Sequence, residues 1–255
     1  GPKGATMDRL ITISISHYVE KVKWALELSG IDYKEESHIP GLHAAVTLWH
    51  TRGRHRSTPV LIDGNQVVPD STAILRHLAD KYDQRWLYPA PNALELEERF
   101  DTAVGPHTRR FIYRKLFDAR LSLPQLFSQP VIPPWQAALL PAIAPMLQAA
   151  MTSDMQINHD EAERSRQIFE GEFDFVAGLL GDGRPFLCGD AISAADITFA
   201  ALAAPVLLPD EYGARLPDTR DMPAAGQLHE IVEHYRRTPA GKFVLRLYRE
   251  HRRPR

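Results

Sequence analysis

The chain has 255 residues, of which 44% are apolar and 24% charged, with a formal net charge of −2 at pH 7. That length suits one large or two modest domains with a sizeable core, and the near-neutral balance offers no overall attraction to nucleic acid or anionic lipid. No stretch approaches the ~18 consecutive apolar residues of a membrane helix, so a cytoplasmic protein with no nucleic acid or membrane partner is expected.

Residues 1–6, GPKGAT, precede the first methionine and read as a tag remnant outside the fold. LITIS at residues 10–14 alternates as a half-buried strand does. The wider stretch ITISISHYVEKVKWALELSG passes, without glycine or proline, into an amphipathic helix that Gly30 can end. Ser16, His17 and Tyr18 sit on the hinge, either as ligand-binding groups or as the polar residues a strand-to-helix turn needs. IDYKEESH supplies a second short strand, and the basic passage to Ser57 holds one irregular helix around 42–49. PVLIDGNQVV is a hairpin turning at Asp63-Gly64-Asn65, residue types that accept the positive φ of a tight turn. DSTAILRHLADKY then reads as a helix opened by Asp70 or Ser71. The order β-α-β-α-β-β-α is complete by residue 83.

Pro89 and Pro91 mark a linker over 84–91. Beyond it only helical periodicity returns, with helices predicted near 92–120, 135–151, 159–180, 194–207, 222–237 and 240–250. The proline-broken segment 121–147 is too apolar for a tether and too interrupted for one straight helix, so kinked, packed pieces are expected. Ser193-Ala194-Ala195-Asp196 spells a capping box, with Ile192 and Ile197 at the staple positions. Cys188, the single cysteine, forbids an internal disulfide and a multi-thiolate metal site, and reads as a small core residue. HEIVEH at 229–234 spaces its histidines five apart rather than four, which turns them about 140° round a helix and away from a shared ion. No metal is expected, and the basic tail YREHRRPR reads as a frayed, solvated terminus.

The first half, with TPVLIDG and VPDSTAILRHLADKY, followed by a helical half with FLCGDAISAADITFAAL, resembles the cytosolic glutathione S-transferase superfamily. The match is serine-type, with a loosely zeta- or tau-like GIDY stretch at Gly30–Tyr33. The resemblance implies an α/β thioredoxin-like glutathione-binding domain over 7–83 and an all-α substrate-pocket domain over 92–255. It implies a homodimer, glutathione as co-substrate, and a small, largely apolar electrophile as acceptor. A conjugating transferase is the default expectation. An isomerase, dehalogenase or lyase on the same fold, or a non-catalytic binding or scaffold protein, are the alternatives.

Residue by residue, the resemblance makes Pro59 a cis-proline that presents the Thr58 backbone to an extended tripeptide. Asp70 and Ser71 become the pair that grips the γ-glutamyl end, a role that suits the free amides of a helix N-terminus. Among Arg52, Arg54, His55 and Arg56, Arg54 and His55 are the candidates for the glycyl carboxylate. SHYVEKV matches the serine-type pattern at Ser16, Tyr18, Lys21 and Val22, with His17 where proline is usual. Ser16 is thus the leading candidate to donate to the glutathione sulfur, with Tyr18, His17 and Ser14 as runners-up. Holding a thiol ~2 units below its usual ~8.5 needs about 2.7 kcal/mol, within reach of one charge-assisted hydrogen bond plus a helix terminus. Phe111, Tyr113, Phe117 and Trp135 are candidate walls of the acceptor pocket.

Overall fold

The computed structural model describes residues 7–219 and 226–253. The tag remnant read at 1–6, the first turn of the helix expected from 222, and the last two residues of the basic tail lie outside them.

The first half is a four-stranded mixed sheet with helices packed on it. Strands β1 (Asp8–Thr12), β2 (Tyr33–Ser37), β3 (Val60–Asp63) and β4 (Gln66–Pro69) lie in the order β2-β1-β3-β4. β1 is parallel to β2 and antiparallel to β3, with Ile11 opposite Val60, and β3 forms the expected hairpin with β4. Gly64 takes φ +60° in that turn, the left-handed conformation glycine accepts without strain. β1 begins two residues earlier than its alternation suggested, and Leu10, Ile11 and Thr12 are all buried. An interior strand flanked on both edges and covered by helices has no wet face for alternation to mark. Helices α1 (His17–Leu28), α2 (Leu42–His50) and α3 (Ser71–Lys81) complete the predicted order.

The second half is helical: α4 (Pro91–Ala103), α5 (Gly105–Asp118), α6 (Leu123–Phe127), α7 (Pro134–Asp154), α8 (His159–Leu180), α9 (Ala194–Ala203), α10 (Gly226–Arg237) and α11 (Pro239–His251). Where one helix was expected over 92–120 there are two, because Pro106 has no N–H to continue the ladder and the chain restarts at Gly105. α7 runs as one helix through Pro141 and Pro145. Both prolines face outward, where water can take the carbonyls of Ala137 and Pro141 that they leave without donors.

Every residue of α9 is buried, and its start is the predicted capping box. Asp196 accepts from the Ser193 amide at 2.8 Å and from the Leu187 amide at 2.8 Å, fastening the preceding loop to the helix. Burial pushes its carboxyl up to about 6 despite those donors. Cys188 is half-buried against the same core, and burial raises its thiol.

α1 departs most from expectation. An amphipathic helix should wet its polar face, yet Glu20, Lys21 and Lys23 are as buried as Val19, Val22 and Trp24. The polar face is covered by the helical half and by β2, so its charges are paired rather than solvated. Lys21 meets Glu97 at 3.0 Å, and Lys23 meets Glu35 at 3.0 Å. Glu20 receives Arg252 at 2.7 Å and the Gly213 amide at 2.8 Å. The basic tail is accordingly not frayed at its start. Arg252 is 2% exposed, bonded to Glu20 and Glu27, and Trp24 donates to the His251 carbonyl at 3.1 Å.

Candidate active site

The N-terminus of α1 opens into a cavity of about 960 Å³ between the sheet and the helical half. Ser16, His17, Tyr18, Thr58, Pro59, Asp70 and Ser71 all line it. A cavity of that size, apolar over most of its wall with a few converging polar groups, has the usual character of a small-molecule site.

Ser16 holds the cap position of α1 with φ −58° and ψ 132°, but its hydroxyl makes no capping hydrogen bond. Its backbone does the structural work instead: the Ser16 amide donates to Ile13 and its carbonyl accepts from Glu20, both at 2.9 Å. The hydroxyl is therefore unspent, at the positive end of a helix, facing the cavity.

His17 is engaged elsewhere. It is 3% exposed, and its Nε2 lies 2.6 Å from the Gly105 carbonyl. Burial, reinforced by the nearby Arg109 charge, pushes the imidazole down to about 3, so the ring is neutral. A neutral ring next to a carbonyl carries its proton on Nε2 and donates it. Tyr18 donates its phenol to the Asp101 carbonyl at 2.8 Å, and burial raises it far above an ordinary phenol. Gly105 makes this approach possible, because a Cβ there would collide with the Tyr18 hydroxyl. Ser14 is buried and lines a separate, smaller cleft with Lys23 and Glu27.

The peptide bond between Thr58 and Pro59 is cis, as the resemblance implied. Thr58 Oγ1 accepts from the Ile13 amide at 3.3 Å, tying this turn to the end of β1. Asp70 caps α3 through the Ala73 amide at 3.1 Å with φ 73°. Ser71 is buried and accepts from Lys21 Nζ at 3.1 Å, which leaves its own proton to donate. His55 and Arg56 reach the cavity rim, whereas Arg54 is exposed and lies off it.

Lys21 is a residue that motif reading recorded without a role. Besides Ser71 and Glu97 it bonds Asp101 at 3.0 and 3.1 Å and Thr72 at 3.3 Å, while Thr72 donates to Asp101 at 2.6 Å. One buried ammonium thus fixes the start of α3 and the middle of α4 against α1, and holds Ser71 in register with Ser16. The signal in the sequence was a lysine on the face of α1 that would otherwise face solvent.

Residues 10–86 match the glutathione S-transferase N-terminal domain, and residues 160–233 match the glutathione S-transferase C-terminal domain. The chain belongs to the cytosolic glutathione S-transferase superfamily. Its architecture, a small sheet domain followed by a helical domain, is that of the transferase fold. A glutathione transferase from Phanerochaete chrysosporium is 20% identical, with a TM-score of 0.62 over 98% of this chain and 100% of its own. One from Ceriporiopsis subvermispora, solved in complex with glutathione, is 18% identical, with a TM-score of 0.60 over 96% and 98% of the two chains. One from Methylobacterium radiotolerans, in complex with glutathione sulfonate, is 18% identical, with a TM-score of 0.54 over 98% and 96%. At these identities the likeness is one of fold.

In this transferase fold one face of α5 lines the helical side of the cavity with Arg109, Ile112, Tyr113 and Leu116, at the i, i+3, i+4, i+7 spacing of one helical stripe. Leu147 and Met151 of α7 stand with it. Of the aromatic residues named for this wall, Tyr113 lines the cavity. Phe111 points the other way, into the aromatic core with Phe169 and Tyr235. Phe117 packs behind Tyr113, ring centroids 5.8 Å apart, without reaching the cavity. Trp135 lies near the start of α7 and is 62% exposed, away from the cavity. Among the described residues no group of three or more His, Cys, Asp or Glu side chains is placed to hold a metal, and no helix is long and apolar enough to cross a membrane.

Proposed function

We propose that the cavity binds glutathione along its sheet-domain wall and that Ser16 donates its hydroxyl to the sulfur, holding it as thiolate for attack on a small, largely apolar electrophile. The observation that carries this reading is the unspent Ser16 hydroxyl at the α1 N-terminus, in one cavity with the cis Thr58-Pro59 turn and the Asp70-Ser71 helix start. The tripeptide would pair with the Thr58 backbone, place its γ-glutamyl carboxylate at Ser71 and the α3 amides, and turn its glycyl carboxylate toward His55 and Arg56. Glutathione and glutathione sulfonate in the complexes of two fold neighbours accord with this reading.

His17 and Tyr18 are spoken for by backbone carbonyls, so they position α1 against α5 and α4 rather than touch the sulfur. No general base is needed, since water takes the thiol proton once the thiolate is stabilised. A homodimer and a cytoplasmic location belong to the same proposal. Calorimetry with glutathione is the first test. We expect saturable binding below millimolar concentration, weakened in Ser71→Ala; absence of binding at millimolar glutathione would remove the enzyme reading and leave a scaffold on a transferase fold.

A further inference from the structure

Arg109 lines the cavity from α5. Its Nε is buried without a hydrogen-bond acceptor, and among the described residues its guanidinium forms neither an ion pair nor a hydrogen bond. Three carboxylates line the same cavity, but none satisfies it. Asp70 caps α3, Asp101 is taken by Lys21 and Thr72, and Asp154 at the end of α7 makes no ion pair with it. A guanidinium N–H buried without an acceptor is costly, and natural sites keep one where a ligand supplies the missing acceptor.

The surroundings say what kind of ligand. Arg109 stands on the helical wall, one turn beyond Gly105, with Ile112, Tyr113 and Leu116 on its own face and Met151 of α7 lining the same cavity. Its neighbours on that α5 face are apolar or neutral, and it stands on the helical side of the cavity, whereas the groups that the glutathione reading assigns to the two tripeptide carboxylates belong to the sheet domain. Arginine side chains on a helix lean back toward its N-terminus, which directs the guanidinium toward the His17 and Ser16 end of α1. A guanidinium prefers a planar, two-oxygen partner. We propose that Arg109 recognises a carboxylate on the electrophile, so that the preferred acceptors are apolar acids rather than neutral hydrophobes. This rests on the glutathione reading above.

A matched pair tests it: 4-chloro-3-nitrobenzoate and its methyl ester. With either, the glutathione sulfur bonds to the ring carbon carrying chlorine, that C–Cl bond breaks, chloride leaves with the electron pair, and the thiol proton goes to water. The readout is the acid-to-ester ratio of kcat/KM in wild type, Arg109→Gln and Arg109→Lys. We expect Arg109→Gln to lower that ratio roughly 10- to 100-fold, chiefly through KM for the acid, and Arg109→Lys to retain part of it. An unchanged ratio, with both substrates slowed alike or with the bound thiol titrating higher, would overturn the proposal and give Arg109 to the sulfur or to the fold. Calorimetry with the unreactive pair 4-methyl-3-nitrobenzoate and its methyl ester separates the two readings. Arg109-dependent preference for the acid without glutathione binding would uphold the carboxylate site and remove the transferase reading. Glutathione binding with no such preference would do the reverse.

Discussion

At the scale of the residue, the hinge Ser16-His17-Tyr18 divides into one free group and two occupied ones. His17 stands where serine-type relatives usually carry proline, and its imidazole takes up a task a proline could not, donating from Nε2 to Gly105 across the junction of the two halves. Burial holds it near pKa 3, below the unfolded 6.5, so between those values the unfolded chain binds more protons than the folded one. The stability that follows is fully present above pH 6.5 and is lost as pH falls toward 3. Between pH 6.5 and 4.5 the loss amounts to about 2 kcal/mol. Urea unfolding across that range should show wild type losing this much more than His17→Gln; parallel curves would mean the ring is not held neutral. Ser16 was legible from the motif. That its hydroxyl is left unspent was not, because whether a cap residue bonds its helix depends on backbone angles that no sequence pattern records.

At the scale of the element, α1 carries the argument. The amphipathic pattern of its sequence separates apolar from charged positions but does not distinguish water from a second domain. Lys21 and Glu20 are instead charges matched to partners far along the chain, Glu97 and Arg252, and Lys23 is matched to Glu35 on β2. The same limit hid the role of the tail: a basic terminus looks solvated until the acids on α1 are known to be buried. Local signals served better. The hairpin, the Asp70 cap and the Ser193-Asp196 box were each legible because neighbouring residues suffice to form them, and the Gly105-Pro106 break was there to be seen in the same way. Lys21→Met should leave Glu97 buried without its cation, where burial already raises its carboxyl. The expected loss is about 3 to 5 kcal/mol in urea unfolding, with weaker glutathione binding as Ser71 loses its partner. A loss under about 1 kcal/mol would mean the pair is dispensable.

At the scale of the molecule, the cavity is a product of the junction between the halves: the sheet domain supplies Ser16, the cis turn and the α3 start, and the helical domain supplies α5 and α7. The order of elements and the sheet-domain wall could be read from the sequence because they rest on short motifs. The helical wall could not, since which aromatic faces inward depends on the phase of α5, set by its restart at Gly105, and on how α7 lies across it. Tyr113 and Arg109 share the inward stripe, while Phe111 falls on the core side. The claim that joins the two halves into one function is that Ser16 holds the glutathione sulfur as thiolate. The direct measurement is a pH titration of the ultraviolet thiolate absorbance of bound glutathione in wild type and Ser16→Ala, with calorimetry confirming that both are loaded. The account predicts a thiol about 2 units below its usual ~8.5 in wild type and a return most of the way in the variant; identical titrations in the two proteins would contradict it.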